Sequence, residues 1–180
     1  MKTLKTIQTL SKISKVFSKI IFIFSIVGLC LSIVGILSLA FNFEAFKIGG
    51  VTINSILQDK GNVTKGTLYA DMAQGIVYCL GTLILSKTAE NYFKRELKDE
   101  TPFTFDGAKD MLRLGILSIC IPIAEEIIVS IVDSVMIKSF SDSKPSDFNA
   151  IESVPIGIAF IIISIICKYG AEVISSKKER

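Results

Sequence analysis

At 180 residues, 50% of them apolar, and with a mean hydropathy of +0.56, the chain is too apolar for an ordinary water-soluble domain and has room for one compact unit. Its net charge of +3 is small, and it holds no His, so His-based zinc motifs have no ligands; no nucleophile-elbow or phosphate-loop pattern occurs either. The four cysteines (Cys30, Cys79, Cys120, Cys167) all fall in apolar runs, which gives neither a disulfide framework nor a metal-ligand set.

The first nineteen residues, MKTLKTIQTLSKISKVFSK, carry five lysines and no acid. At 100° per residue the lysines gather on one side, while Leu4, Ile7, Leu10, Ile13, Val16 and Phe17 spread over the other. That pattern predicts an amphipathic helix on the inner leaflet, a basic arm in which Lys5, Lys12, Lys15 and Lys19 meet anionic lipid at about 1 kcal/mol each. The plainer alternative is a charged flank that only fixes topology. With no interleaved reading surface, nucleic acid is not an expected partner.

About 20 apolar residues cross a bilayer core. Residues 20–41 are uncharged and supply the first span, with Ser25, Gly28, Ser32 and Gly35 as a small-residue packing seam. Ser38-Leu39-Ala40 resembles a cleavage site, but the apolar stretch is longer than the ~7–15 residues of a signal-peptide core, so a retained helix is expected. The second span, 68–86, carries Asp71, Gln74, Tyr78 and Thr82 on one stripe, with Gly75 and Gly81 for close approach.

Beyond it, TAENYFKRELKDE continues as a charged helix supported by the i,i+4 pair Glu90 and Lys94. The helix should break at TPFT, because Pro102 disfavours helix for the residue before it. A new helix should start near Asp106, read as its N-cap. The six bases of 87–113 are matched by six acids, so this cytoplasmic elbow is neutral and no phosphate-binding patch is expected.

The run FKRELKDETPFTFDGAKDMLRLGIL resembles the inner loop of an uncharacterised family of small four-span bacterial membrane proteins, number twenty-nine seventy-five of the domain-of-unknown-function series. Phe93, Leu97, Pro102, Phe103, Thr104, Arg113 and Gly115 carry the likeness, and Glu100 stands where that family has glycine. The resemblance implies a fold and a location but no activity.

The third span, 114–137, contains IPIAEEIIVSIVDS, with Glu125, Glu126 and Asp133 inside an otherwise apolar run. A mid-span acid costs about 2.5–3.5 kcal/mol and each Leu, Ile or Val returns only ~0.3–0.6, so these acids must face protein or water. Glu126, Ser130, Asp133 and Ser134 share a stripe, with Pro122 and Glu125 at its edge. No Lys or Arg lies within the spans to pair with them, which leaves them protonated, hydrated or holding a cation. Glu126 is expected to lie deepest.

The fourth span, 151–169, is short. Of the 20 basic residues, fifteen lie in 1–19, 87–113 and the tail, which predicts cytoplasmic termini and external loops near 42–67 and 138–150. The expectation is therefore an all-α polytopic membrane protein of the bacterial cell membrane, a single domain over 1–180 with four transmembrane helices, an N-terminal amphipathic helix and a helical cytoplasmic elbow. Its partners are the bilayer, anionic inner-leaflet lipids and a membrane protein or a second copy; no cofactor or metal is expected. The activity expected is non-enzymatic: an accessory, sensory or regulatory component. The alternative is a small proton- or cation-coupled transporter using Glu125, Glu126, Asp133, Asp71, Gln74 and Tyr78.

Overall fold

The computed structural model describes residues 2–41, 65–140 and 154–178, and the side chains of 6–41, 65–140 and 154–176. These residues form four helices and no strand: α1 (Lys2–Phe41), α2 (Lys65–Asp99), α3 (Phe105–Ser139) and α4 (Val154–Lys178). All four are long and apolar enough to cross a membrane. At 1.5 Å per residue the 40-residue α1 measures about 60 Å, twice a ~30 Å hydrocarbon core. Both expected external loops lie largely outside the described residues.

Burial explains why these are membrane helices. Apolar side chains face outward along every helix, with Phe24 70% exposed, Ile131 59% and Ile165 62%. The buried positions are small or polar: Ser11, Ser18, Ser25 and Ser38 on α1, Gln74 on α2, Asp133 on α3, Ser164 and Cys167 on α4. Such an inverted pattern suits a lipid solvent, in which close packing and polar contacts, not hydrophobic burial, hold helices together.

Contacts divide the chain into two units, one holding Met1–Phe24, Thr82–Ile123 and Ala150–Arg180, the other Ser25–Gly81 and Ala124–Asn149. We call them the elbow unit and the three-helix unit.

In the elbow unit, α1 shows no break between the basic arm and the first span, so the expected N-terminal helix is one continuous rod with that span. Its protein-facing side is Ser11 and Ser18, seven residues apart, whereas Leu10, Ile13, Val16 and Phe17 are each about three-fifths exposed. The hydroxyls of Ser11 and Tyr92 both lie against the Glu96 carboxyl group of α2. Helices α3 and α4 pack antiparallel through backbone: a Cβ on Gly157 would sit 2.9 Å from the Gly115 carbonyl oxygen. Two turns away in the same register, Ser164 Oγ donates to the Ala108 carbonyl at 2.7 Å. This register sets α4 against the beginning of α3, so the middle of the fourth apolar stretch lies level with the entry to the third. The second half of α3 belongs to the other unit, in which α4 has no part.

The elbow differs from expectation at its cap. Thr104 takes the N-cap role: its Oγ1 accepts from the Gly107 amide at 3.0 Å, and its carbonyl accepts from the Ala108 amide at 2.9 Å. Asp106 instead lies inside the first turn, where a carboxylate favours the positive end of the helix dipole. Arg95 and Asp110 bridge the two arms of the elbow at 3.2 Å, and the Phe103 ring lies on Gly170 of α4. Directly after α2, Glu100 adopts φ 59°, the left-handed conformation that favours glycine.

In the three-helix unit, α1 and α2 pack antiparallel in one register. A Cβ added to Gly28 would meet Cys79 Sγ at 2.9 Å, one on Gly75 would meet Ser32 Oγ at 2.8 Å, and one on Gly35 would meet Met72 Sδ at 2.8 Å. Tyr69 and Phe140 stack at 5.7 Å between their ring centroids, tying the start of α2 to the end of α3.

The α3–α4 register has a direct test. In a background without the native cysteines, Ala108→Cys with Ser164→Cys should crosslink under mild oxidation. A pair thirteen residues out of that register within the same unit, Ile121→Cys with Ser164→Cys, should not, and the reverse result would contradict the register. Glu100→Gly should raise thermal stability in detergent by about 1 kcal/mol, since a non-glycine residue in the left-handed region costs roughly 1–2 kcal/mol. A fall in stability would show that the side chain, not the backbone, is needed there.

A polar seam as the candidate functional site

The seam lies in the three-helix unit and begins from helical spacing. Residues three, four and seven apart on a helix share a face. On α3 this places Val129 and Asp133 on the buried side, at 2% and 8% exposure. On α2 the same spacing buries Ala70 and Gln74, and on α1 it buries Ser25. The core of this unit is therefore built from hydroxyls, an amide and a carboxylate, with few large apolar groups.

One contact organises it. Gln74 Nε2 donates to Asp133 Oδ1 at 2.7 Å, a buried bond between α2 and α3. A carboxyl group in such surroundings is costly unless hydrogen-bonded, and the amide answers that need without adding charge. Both residues were expected to face inward, and the structure brings them together.

The other acids sit around this bond. Tyr78 lies within electrostatic reach of Glu125, Asp133 and Glu126. Glu125 and Glu126 are half-buried. Asp71 is exposed, yet close enough to Asp133 for their charges to interact. The expected set Glu125, Glu126, Asp133, Asp71, Gln74 and Tyr78 thus converges on one unit, with Asp71 at its surface.

One expectation changes. Asp133 is the seam acid most buried by protein, because the buried line of α3 runs through Val129 and Asp133. Ser130 and Ser134 leave the inner stripe. Both are exposed, and their hydroxyls turn back on the helix, bonding the carbonyls of Glu126 and Ser130 at 2.8 Å each. That back-bonding satisfies the hydroxyls within their own helix, so they can face lipid.

Among the described residues no group of three His, Cys, Asp or Glu is arranged to hold a metal ion. The four cysteines are free; Cys167 is buried, Cys79 half-buried, and Cys30 and Cys120 exposed. Of the basic arm, Lys12 and Lys19 are exposed and Lys15 half-buried, while the Lys5 side chain lies outside the described residues.

Sequence reasoning missed the Ser11, Ser18, Ser25 and Ser32 repeat of seven along α1, a visible signal that these hydroxyls mark its protein-facing line. It also missed the Gly115–Gly157 contact, which no local pattern announces. Comparison with family models, with curated proteins and with solved structures finds no match to this chain.

The Gln74–Asp133 bond predicts a distinctive mutational pattern. Gln74→Leu alone should destabilise the protein in detergent by about 1–3 kcal/mol, because Asp133 is left buried without its donor. Gln74→Leu with Asp133→Leu should recover most of that loss. Additive losses in thermal melts of the two single variants and the double would show that the bond does not couple α2 to α3.

Proposed function

We propose that this chain is a non-enzymatic sensory or regulatory component of a bacterial cell membrane, whose responsive element is the polar seam of the three-helix unit. The observation that carries this reading is the gathering of Glu125, Glu126 and Asp133 around Tyr78, beside an acid already held by Gln74. Asp133 serves the packing, and Glu125 and Glu126 are the responsive groups. A change of charge at these carboxyl groups changes the field at Tyr78, and with it the fit of α3 on α2. An accessory role, in which a membrane protein partner or a second copy reads that fit, uses the same element.

The positive-inside count supports an orientation with both termini cytoplasmic. In that orientation the basic arm lies at the inner leaflet, where Lys5, Lys12, Lys15 and Lys19 meet anionic lipid. The elbow resemblance is in keeping with a small four-span bacterial membrane protein of this kind.

A second reading is favoured by the same acids, which could pass a proton or a cation between them as a small transporter. Reconstituted vesicles separate the two. As a sensor, the protein should give no proton or cation flux above empty vesicles, while Glu126→Gln removes the dependence of its thermal stability on added cations. Flux that disappears in Glu126→Gln would establish the transporter instead. Wild-type and Gln curves that coincide at every pH and in every salt would remove Glu126 from either role. A reporter joined after residue 60 should read out on the external side; a cytoplasmic signal would contradict the orientation.

A further inference from the structure

The elbow unit contains an open cleft of ≈ 520 Å³, within the ~300–1,000 Å³ range of small-ligand sites. Its walls divide by chemistry. One side is apolar: Phe22 of α1 with Leu83 and Ile84, where the apolar part of α2 ends. The other is cationic: Lys87 and Arg95 of α2 and Arg113 of α3.

The elbow is neutral by count, and the expectation of no phosphate patch rested on that count. Folding sorts the charges. Lys87 pairs with Glu90 at 2.9 Å and lies over the Phe22 ring at 5.3 Å. Arg95 pairs with Asp110 at 3.2 Å. Three cations therefore share the cleft with one carboxylate, Asp110, while Glu90 reaches Lys87 from outside the lining. Both ion pairs are solvent-accessible at the Lys87 and Arg95 ends, half exposed in each case. Groups in such pairs remain able to take a stronger anionic partner.

We propose that this cleft binds the headgroup of an anionic phospholipid. The phosphate sits between Lys87 and Arg113, the planar guanidinium offering two parallel donors to its oxygens. The acyl chains lie along Phe22, Leu83 and Ile84 and continue onto the exposed apolar side of α2. A basic pocket beside apolar helix surface at the membrane boundary has the composition that lipid headgroups require. The site is separate from the basic arm, which attracts anionic lipid diffusely. It depends on the orientation proposed above only for which leaflet supplies the lipid.

The full chain in neutral detergent tests it by native mass spectrometry, with phosphatidylglycerol or phosphatidylcholine added at equal concentration. Wild type should retain one phosphatidylglycerol in preference to phosphatidylcholine. Lys87→Gln with Arg113→Gln should lower that retention roughly ten- to thirty-fold, the loss expected for two basic contacts. The arm variant Lys12→Gln, Lys15→Gln, Lys19→Gln should keep it, as should the charge-conserving Lys87→Arg. Inorganic phosphate and glycerol 3-phosphate at millimolar concentration should not displace the lipid. Equal retention of the two lipids would overturn the proposal, as would a double variant that binds like wild type. Displacement by inorganic phosphate would reduce the cleft to a simple anion site and overturn the lipid assignment. Should the double variant fail to fold, Arg113→Gln alone carries the test and must lose retention. Binding in detergent does not depend on orientation, so failure here and failure of the residue 60 reporter are read separately.

Discussion

A helix surrounded by hydrocarbon gains nothing by turning its leucines and isoleucines inward, and this constraint shapes every contact described above. What can be gained inside is close approach of backbones and satisfaction of polar groups. The chain uses both. Glycine meets glycine between α3 and α4, glycines meet Cys79, Ser32 and Met72 between α1 and α2, and an amide meets a carboxyl between α2 and α3. The serines at 11, 18, 25 and 32 belong to the same economy of space. Each is small, and each carries a hydroxyl that its own helix or a neighbour can satisfy, as Ser11 and Ser18 do with the carbonyls of Ile7 and Ser14. A seven-residue repeat keeps such a line facing one partner as the helices coil about each other.

Polar interiors of this kind are local, and the two units use them differently. In the three-helix unit the seam gathers Glu125, Glu126 and Asp133 around Tyr78, with Gln74 holding Asp133. In the elbow unit several polar groups are paired or capped. Glu96 lies against Ser11 and Tyr92, Arg95 pairs with Asp110, and Thr104 caps the first turn of α3. That unit is built to hold its elements in place, and its cationic cleft lies where the apolar part of α2 gives way to the charged part.

Much of this was legible in the sequence, because hydropathy and charge spacing are local properties. Four apolar runs announced four helices, and the cost of acids in lipid announced that Asp133 and Gln74 must face inward. Which inward residues touch was not legible, since that depends on register between distant segments. The same gap hid the offset of α4, fixed by Gly115–Gly157 and by Ser164 on Ala108, neither of which alters local hydropathy. Thr104 and Asp106 are both good capping residues, and only the path of the chain after Pro102 selects between them. Counting charges concealed the cleft, because a neutral sum says nothing about where Lys87, Arg95 and Arg113 end up.

The central claim is that α3 turns its isoleucines to lipid and its Val129–Asp133 line to protein. Spin labels at single cysteines replacing Ile127, Val129, Ile131 and Val135, read in bilayers against oxygen and a water-soluble nickel chelate, test it most directly. Labels at 127, 131 and 135 should be relaxed by oxygen and not by nickel, while the label at 129 should be shielded from both. A nickel-accessible label at 131, or a label at 129 as open to oxygen as its neighbours, would contradict the account.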